Sequence, residues 1–438
     1  MESLGRVRPR YSERISENVI IEVYGGWREI GGNCVKVVDE GLGKNIVFDQ
    51  GIRFSIYSRY YSLLIQPRGL YELRGLGVVP NPQVFRDVDD VYISHMHLDH
   101  LGVLSNIDRR SIRLFLPSLE LHERIKEGKW QYSEWRQLLI PARPFIETLR
   151  SNEAKNPVLA KQVSHSAFPS YSYLYFGSDA TILYTGDLRD VSSGNPLSEE
   201  SIFSFLQNNP DIKVDVLILE GTNIGRRHTP MTMEEAKRIL ARYVNEFGRP
   251  IFINVDERDL ETIILLLNIV GEKREIWILD DKLAVALDAF LEEFPDLQQY
   301  FKHVLLLEDL FSSVRSIPSF WSNRLASIDD LKDGKYVFLL GKNLVEALKD
   351  IKSLGVPLEG SLVLLLDSEP STEEFIIEAR RVETWLNVFN MIPIGLRVSG
   401  HYYPHMFKDI LRIVKPRKLI PIHTKAPNTM LTLFNRYK

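Results

Sequence analysis

The sequence predicts an α/β protein in which a discontinuous first domain is interrupted by an inserted, doubly wound α/β domain. Short apolar strands separated by glycine-rich turns open the chain, as in "VIIEVYGG", "NCVKVV" and "NIVFDQG". After about residue 226, strands and helices alternate, which is typical of a parallel sheet covered by helices. At 438 residues the chain also exceeds the size at which a single hydrophobic core stops growing, so two domains are expected.

Composition and charge exclude several classes of protein. Hydrophobic residues make up 44% and charged residues 26% of the chain, so no long disordered region is needed. A net charge of -4 argues against wholesale wrapping of nucleic acid, although it allows a local basic channel. Cys34 is the only cysteine, so we expect neither a disulfide framework nor a cysteine-based zinc site. No apolar run is long enough to span a bilayer, and the N-terminus lacks an apolar signal core, so we expect a soluble, cytoplasmic protein.

The elements before residue 226 can be read in order. Beyond the three opening strands, "DDVYISH" predicts a further buried strand. Residues 51–83 are rich in Tyr, Arg and Leu without periodicity and are predicted to form a long surface insertion, whereas residues 118–150 read as helical. Two β-type runs follow, "ATILYTGD" and "VDVLILEG", and each ends in an acidic residue, Asp187 and Glu220.

The elements after residue 226 follow a strand-then-helix order. The runs "RPIFINV", "EIWILD", "YVFLLG" and "SLVLLLD" each precede a predicted helix, at about 257–270, 281–294, 343–354 and 372–390. The chain then returns to a strand ("IGLRV"), a helix starting near Pro404 and a last strand ("KLIPIH"). This alternation predicts a parallel sheet in the inserted domain.

The stretch "SHMHLDHLG" places four metal-ligand side chains within six positions, just after an apolar strand. Alternate residues leaving a strand point the same way, so His95 and His97 can hold one ion from one side. Asp99 and His100 follow where the chain turns and therefore aim at a neighbouring point. The spacing predicts a site for two metal ions.

Other polar residues also stand directly after apolar strands. They are Asp49, Asp187, Glu220 and His423, with His165 in "KQVSHSAF" as a further case. Strand ends along one edge of a sheet lie near one another. Histidine nitrogens and carboxylate oxygens suit zinc, and a carboxylate can bridge two ions. Together with the histidine cluster, these residues supply about the ligand set that a two-zinc site needs.

Taken in order, "SHMHLDHLG", "VSHSAFPSYSYL", "LYTGDLR" and "PIHT" resemble the motifs of metallo-β-lactamase fold nucleases. "LILEGTNIGRRHTP" and "RVSGHYYPH" narrow the resemblance to the β-CASP branch, and "GGWREIGGNCVKVV" to the ribonuclease J group and its archaeal relatives. The resemblance implies a metallo-β-lactamase αββα sandwich interrupted by a β-CASP domain. The implied segments are an N-terminal extension (1–17), the first part of the sandwich (18–225), the β-CASP domain (226–394) and the return segment (395–438).

The resemblance also implies roles for individual residues. One zinc would be held by His95, His97 and His165, and the other by Asp99, His100 and His423, with Asp187 bridging the two. Asp49 would support the cluster from behind the ligands, and Glu220 would orient a ligand histidine. Asp99 would also align the attacking water, and His401 would neutralise the phosphate and protonate the leaving oxygen.

His401 is also a candidate on physical grounds. Ser399, Gly400 and His401 precede a predicted helix with Pro404 at a plausible first position, and free N–H groups at a helix start favour phosphate binding. The alternative is a loop histidine near a cap. The sequence departs from the family at Tyr402, where a small residue often stands, and a tyrosine there would narrow the phosphate end of the site.

Substrate binding requires local basic and aromatic side chains. Arg226, Arg227 and Arg397 flank the site motifs and are expected to contact substrate together with Ser399 and Gly400. The 51–83 insertion interleaves arginines with tyrosines, which suits single-stranded nucleic acid, and a lid or dimer contact is an equal alternative.

These observations predict a two-zinc phosphodiesterase. The resemblance implies that it is a ribonuclease whose products carry a 5′-phosphate and a 3′-hydroxyl. The resemblance favours RNA over DNA and a 5′-to-3′ exonuclease on single strands, with endonuclease activity and homo-oligomer formation left open. The alternatives are a β-CASP DNA-repair nuclease, a small-molecule metallo-hydrolase of the same superfamily and a non-catalytic scaffold. A scaffold is disfavoured because every ligand position is filled.

Overall fold

The computed structural model describes most of the chain: residues 8–62, 65–127, 145–190, 197, 200–226, 230–271, 274–278, 281–310, 317, 319–330, 336–341, 343–366, 373–396 and 398–437. The chain separates into two compact units, the first comprising 1–119, 134–229 and 400–438 and the second 120–133 and 230–399. Both contain helices and sheets, which confirms the predicted α/β class. Among the described residues, no helix is long and apolar enough to cross a membrane.

The first unit contains two sheets. The first sheet runs in chain order through β1 (Tyr11–Arg14), β2 (Val19–Gly25), β3 (Cys34–Asp39), β4 (Lys44–Phe48), β5 (Asp90–Tyr92), β6 (Arg113–Leu116) and β7 (Phe145–Thr148). Strands β1 to β4 pair antiparallel, and β4 to β7 pair parallel. The carboxyl ends of β4 and β5, which precede Asp49 and His95, therefore meet at one edge.

The second sheet has the order β20-β12-β11-β10-β9-β8. Its strands are β8 (Ala154–Lys155), β9 (Val158–Gln162), β10 (Tyr171–Phe176), β11 (Thr181–Tyr184), β12 (Val216–Glu220) and β20 (Lys418–Ile422). Because β11, β12 and β20 are parallel, their carboxyl ends bring Asp187, Glu220 and His423 to one edge.

The core of this unit lies between the two sheets. Fully buried side chains of the first sheet, such as Phe48 and Tyr92, share one apolar cluster with Tyr173, Tyr184 and Ile420 of the second. The rings of Phe48 and Tyr184 stack with centroids 4.8 Å apart. Aromatic pairs of this kind stabilise a core by about 1 kcal/mol beyond their area burial. The two sheets thus form a sandwich.

Helices complete the first unit. They are Phe54–Tyr60, Leu70–Gly75, Leu98–Leu101, Ile202–Asn208, Phe407–Val414 and Pro427–Tyr437. The last three contribute Ile202, Phe407 and Met430 to an apolar cluster with Leu183 and Leu217 of the second sheet. That sheet is therefore covered by helices on the face that points away from the sandwich core.

The second unit contains the third sheet, in which every pairing is parallel. Its order is β16-β15-β14-β17-β13-β18-β19. The strands are β13 (Ile251–Asn254), β14 (Glu275–Ile278), β15 (Val304–Leu307), β16 (Leu325–Ala326), β17 (Tyr336–Leu340), β18 (Leu362–Leu365) and β19 (Ile392–Gly395). The helices between them are Met233–Glu246, Leu260–Val270, Asp281–Glu293, Leu344–Ser353 and Glu373–Val388. A further helix, Leu119–Lys126, falls mostly in this unit.

Some predicted elements differ from the observed ones. The helix expected over 118–150 is present as Leu119–Lys126, whereas Phe145–Thr148 forms β7, and residues 128–144 lie outside the described residues. The strand expected at "IGLRV" begins two residues earlier, and Ile392–Gly395 pairs with β18 in the third sheet. Residues 51–83, expected to be a surface insertion, contain two short helices, and Leu73 and Val78 in this segment are buried.

Several elements were not foreseen, among them the first strand and the helix that follows Thr232. Tyr11–Arg14 forms β1 and pairs antiparallel with β2, although residues 1–17 were expected to be a separate extension. The helix Met233–Glu246 begins with a capping box, in which the Thr232 hydroxyl accepts from the Glu235 N–H and the Glu235 carboxylate accepts from the Thr232 N–H. This Thr-x-x-Glu spacing is a sequence signal for a helix start that could have been read in advance.

Candidate metal centre

The histidine motif lies at the carboxyl end of β5. After Tyr92 the chain passes through Ser94 and His95 and enters the short helix Leu98–Leu101, with His97 in extended conformation at its N-cap. His95 and His100 are fully buried, whereas His97 is half-buried. The motif therefore places its side chains at the end of the sandwich where β11, β12 and β20 of the second sheet also end.

Three histidine nitrogens converge in a first cluster. The Nε2 atom of His95 lies 3.0 Å from Nδ1 of His97, and Nε2 of His165 lies 3.3 Å from the same Nδ1. Nitrogen ligands about 2.0–2.1 Å from a tetrahedral zinc are separated by about 3.3 Å. His95, His97 and His165 are thus spaced as three ligands of one zinc ion.

A second cluster lies beside the first. His423 Nε2 is 3.1 Å from Asp99 Oδ2, and His100 Nε2 is 3.1 Å from Asp187 Oδ2. The same Asp187 oxygen is 3.6 Å from His423 Nε2 and 4.0 Å from His95 Nε2. Asp187 therefore stands between the two clusters, where a bridging carboxylate would stand.

Within the described part of the chain, two buried atoms of this cluster make no hydrogen bond of proper geometry: Asp187 Oδ1, and His100 Nε2 despite its distance of 3.1 Å to Asp187 Oδ2. Leaving a buried polar atom without a partner costs about 1–3 kcal/mol, so native proteins rarely do so without a reason. A metal ion accepts lone pairs from imidazole nitrogen and carboxylate oxygen alike. The donor set and its two unsatisfied atoms therefore fit a metal site.

Residues behind the candidate ligands fix their orientation. The Asp49 carboxylate accepts from the Ser94 N–H at 2.7 Å and lies 2.7 Å from His100 Nδ1. The Gly400 carbonyl lies 2.6 Å from His165 Nδ1, and the Thr222 hydroxyl lies 2.7 Å from His423 Nδ1. Contacts of this kind select the tautomer that presents the other ring nitrogen to a metal.

Glu220 contacts a different histidine from the one expected. Its Oε1 atom lies 3.2 Å from Nδ1 of His401, which is outside the expected ligand set, and its Oε2 accepts from the Thr222 N–H at 2.8 Å. Asp187, Glu220, His401 and His423 also have ligand atoms within 4.8 Å of one another. Glu220 and His401 thus form a pair at the edge of the metal centre.

Tyr402 does not narrow the phosphate end of the site, contrary to the sequence prediction. Its side chain is buried, its hydroxyl donates to the Glu220 carbonyl at 2.9 Å, and its N–H donates to the Leu188 carbonyl at 2.7 Å. The ring packs in the apolar cluster beneath the second sheet. Tyr402 is therefore a structural residue that holds the backbone next to His401.

Burial and the nearby acidic side chains shift the pKa values of the histidines in opposite directions. Burial lowers the pKa of His95 well below its usual value and the pKa of His165 to about 3, so both stay neutral as metal ligands must. Burial would also lower the pKa of His100, but Asp187, Asp49 and Asp99 together raise it well above its usual value. Although burial favours the neutral acid, His100 and other nearby histidines hold the pKa of Asp187 well below its usual value.

The expected substrate-binding residues are placed less completely. The Gly400 carbonyl contacts Nδ1 of His165. Ser399 is buried, and Arg226 is half-buried. Arg227 and Arg397 lie outside the described residues. In the 51–83 segment, Arg53 pairs with Glu29 at 3.0 Å and Arg74 donates to Asn106 at 2.8 Å, so both serve the fold.

Sequence reasoning missed several residues that support the centre. Ser94, Thr222 and Tyr184 each contact Asp49 or a candidate ligand through a hydroxyl group. Ser94 and Thr222 stand inside the quoted motifs "SHMHLDHLG" and "LILEGTN", next to residues that were singled out. Tyr184 also stands inside a quoted motif, "LYTGDLR", but a tyrosine in an apolar strand is read as a core residue.

Comparison with known proteins supports the resemblance to ribonuclease J. No family model matches the chain. Ribonuclease J of Pyrococcus abyssi is 23% identical over 227 residues, which are 50% of this chain and 49% of that protein. Probable RNase MJ4 of Methanocaldococcus jannaschii is 25% identical over 270 residues, or 54% of this chain and 60% of that protein. Ribonuclease J of the same organism is 32% identical over 91 residues, 20% of each chain.

These matches span between 20% and 60% of the length of the curated relatives, and the relatives' names agree with the family expected from the motifs. Among solved structures, a protein of unknown function from Enterococcus faecalis V583 superposes with a TM-score of 0.70 at 20% identity, over 94% of this chain and 95% of that one. At this identity the likeness establishes a shared fold alone.

Proposed function

We propose that this chain, a relative of the archaeal ribonuclease J proteins, is a zinc-dependent ribonuclease with a metallo-β-lactamase αββα sandwich and an inserted β-CASP domain. The observation that carries the proposal is the cluster around Asp187, in which two buried ligand atoms have no hydrogen-bond partner. Relatives named as ribonucleases support a nucleic-acid phosphodiester as the substrate.

Seven residues would hold two zinc ions. His95, His97 and His165 would bind one ion, and Asp99, His100 and His423 would bind the other. Asp187 would bind both. When bound, two zinc ions supply an activated water and offset the negative charge of a phosphodiester. The expected products are a 5′-phosphate and a 3′-hydroxyl.

The chain's own residues position the substrate and move protons. The Glu220 carboxylate would accept a hydrogen bond from the Nδ1–H of His401, which would turn the other ring nitrogen, Nε2, towards the substrate phosphate. His401 is partly exposed, with 21% of its side chain accessible, so it can meet a ligand from solvent. Asp99, whose side chain is also partly exposed, would align the attacking water.

The substrate class proposed is single-stranded RNA, degraded from the 5′ end. The test is a time course on RNA carrying a 5′-monophosphate and a 3′-end label, with zinc-loaded protein. His97→Ala is the inactivating variant, and His303→Ala, an exposed histidine of the second unit, is the matched control. We expect mononucleotide release with a progressively shorter labelled remainder for the wild type and His303→Ala only, and loss of bound zinc in His97→Ala.

Other outcomes would redirect the proposal. Discrete internal fragments that form regardless of the 5′ group would mean an endonuclease. Intact RNA with cleaved single-stranded DNA would mean a DNA nuclease. If His97→Ala retained full zinc and activity, the metal assignment would be wrong.

A further inference from the structure

A loop beside the metal centre exposes aromatic side chains that the fold does not use. Residues 53–78 are closed at the base by a hydrogen bond from the Arg53 N–H to the Val78 carbonyl at 2.8 Å. Within the loop, the helix Phe54–Tyr60 contains no buried residue, although four of its seven side chains are aromatic or aliphatic. An apolar surface of this kind on a described loop marks an interaction site.

Two tyrosine rings of this loop are exposed to solvent. Tyr71 is 90% exposed and Tyr60 is 48% exposed. The residues that follow them in the sequence, Tyr61 and Glu72, form a hydrogen bond, in which the Tyr61 hydroxyl donates to Glu72 Oε1 at 2.8 Å. The other Glu72 oxygen accepts from the Arg68 N–H at 3.0 Å. The Tyr61–Glu72 bond joins the residue after the helix Phe54–Tyr60 to the helix Leu70–Gly75, and Tyr60 and Tyr71 are the sequence neighbours of the two bonded residues.

The loop is positively charged in a chain whose net charge is -4. Between residues 50 and 71 the sequence contains three arginines and no acidic residue. Arg53 is paired with Glu29, whereas Arg59 and Arg68 are exposed. Glu72, the next acidic residue, is occupied by Tyr61 and the Arg68 backbone. The charge of the loop therefore complements a polyanion.

The segment that leads into the loop, residues 50–52, lies directly against the histidine motif. The Gln50 N–H donates to the His100 carbonyl and the Ile52 N–H to the Leu98 carbonyl, both at 2.9 Å. A Cβ atom on Gly51 would lie 1.7 Å from the Asp99 carbonyl oxygen, so only glycine permits this approach. The chain therefore enters the loop directly from its contact with the histidine motif.

We propose that the loop binds single-stranded RNA by stacking unpaired bases on Tyr60 and Tyr71 while Arg59 and Arg68 contact the flanking phosphates. The proposal rests on the ribonuclease function proposed above. Aromatic rings interleaved with arginines are the usual platform for single strands, because every base has a face that can stack. A second copy of this chain fits less well, since two such loops facing each other would bring like charges together.

The test measures binding of a fluorescent, hydrolysis-resistant phosphorothioate RNA of about 12 nucleotides to the zinc-loaded protein. The variants are Tyr60→Ala/Tyr71→Ala and the conservative Tyr60→Phe/Tyr71→Phe, with Tyr437→Ala, 44% exposed on another helix, as the matched control. We expect the alanine pair to weaken single-strand binding at least about tenfold. The phenylalanine pair and the control should bind as the wild type does, and duplex RNA of the same sequence should be affected little.

The outcomes separate this proposal from the enzymatic one, because hydrolysis of bis(p-nitrophenyl) phosphate by the same variants reports the metal centre without the loop. Unchanged RNA affinity in the alanine pair overturns the proposal, whether or not the wild type cleaves RNA. A dimer that the alanine pair converts to monomer, with RNA affinity intact, also overturns it in favour of a second copy. Weakened RNA binding with unchanged hydrolysis of the small ester supports it.

Discussion

The two ends of strand β5 lie beside two buried acidic side chains that are neutralised in different ways. At the amino end, Asp90 accepts from Arg113 Nε at 2.6 Å and Nη2 at 2.8 Å, and Lys44 Nζ lies 2.8 Å away. At the carboxyl end, where His95 and His100 follow the strand, Asp187 has one oxygen near several histidines and one without a hydrogen-bond partner.

The difference separates a structural carboxylate from a functional one. Asp90 has both oxygens occupied by cations of the chain, so its negative charge is satisfied when folding is complete. Asp187 still has an unsatisfied oxygen in the folded chain, at the edge of the sandwich where His100 Nε2 is unsatisfied as well. Buried polar atoms left in this state indicate that a ligand completes them.

The largest effect should come from Asp187→Asn. Replacing the shared carboxylate should lower zinc content and reduce RNA hydrolysis more than about a hundredfold, because even residues that only orient metal ligands cost about 10–100-fold. Zinc per chain by mass spectrometry and initial hydrolysis rates measure this. After chelation, the Tm of Asp187→Asn should differ little from that of the chelated wild type. If Asp187→Asn kept its full zinc content and activity, Asp187 would not be a metal ligand.

The same substitution at the other end of the strand should act on stability instead. Asp90→Asn leaves Lys44 and Arg113 facing a neutral amide in a buried site, and breaking such a pair costs about 3 kcal/mol. This value is at the low end of the range because Arg113 is 40% exposed. Urea unfolding measures the loss, and zinc content should stay at the wild-type value. If Asp90→Asn kept its stability but bound less zinc, Asp90 would serve the metal centre and not the fold, contrary to the prediction.

A smaller effect should follow from Thr222→Val, which removes the hydroxyl next to His423 Nδ1 while keeping the side-chain shape. Zinc affinity should fall about 10–100-fold, because the histidine loses the contact that fixes its orientation. The matched control is Thr262→Val, a buried threonine of the second unit whose hydroxyl donates to Asp259 at 2.8 Å. Competition with a zinc chelator should distinguish the two variants, and equal affinities would show that Thr222 is structural only.

The strands that carry the centre were predictable from the sequence because they are short apolar runs that end in a ligand. Asp49, His95, Asp187, Glu220 and His423 all follow such runs, and parallel pairing brings their ends together. The order of strands within a sheet was not predictable, since it depends on pairing between residues far apart in the chain. The first strand, Tyr11–Arg14, was missed because its four residues show no apolar alternation.

Contacts made by backbone or by hydroxyl groups were also beyond sequence reasoning. The Gly400 carbonyl orients His165 from 235 positions away, and a carbonyl group leaves no trace in the residue type. Tyr402 shows the converse, because a residue next to a motif was assigned to the substrate although its side chain is buried. Its position next to His401 in the sequence predicted a side chain at the site, whereas its ring packs in the apolar cluster beneath the second sheet.

The smallest effect, from Tyr402→Phe, tests this last distinction. The substitution removes the bond from the tyrosine hydroxyl to the Glu220 carbonyl and leaves a buried carbonyl without that donor, so stability should fall by about 1 kcal/mol. Tyr173→Phe, which removes a buried bond of 2.7 Å to the Ile93 carbonyl, is the matched control and should lose a similar amount. Because the ring does not face the substrate, KM for RNA should stay unchanged in both variants. A Tyr402→Phe protein with wild-type stability and an altered KM would instead place the tyrosine at the phosphate end of the site, as the sequence alone suggested.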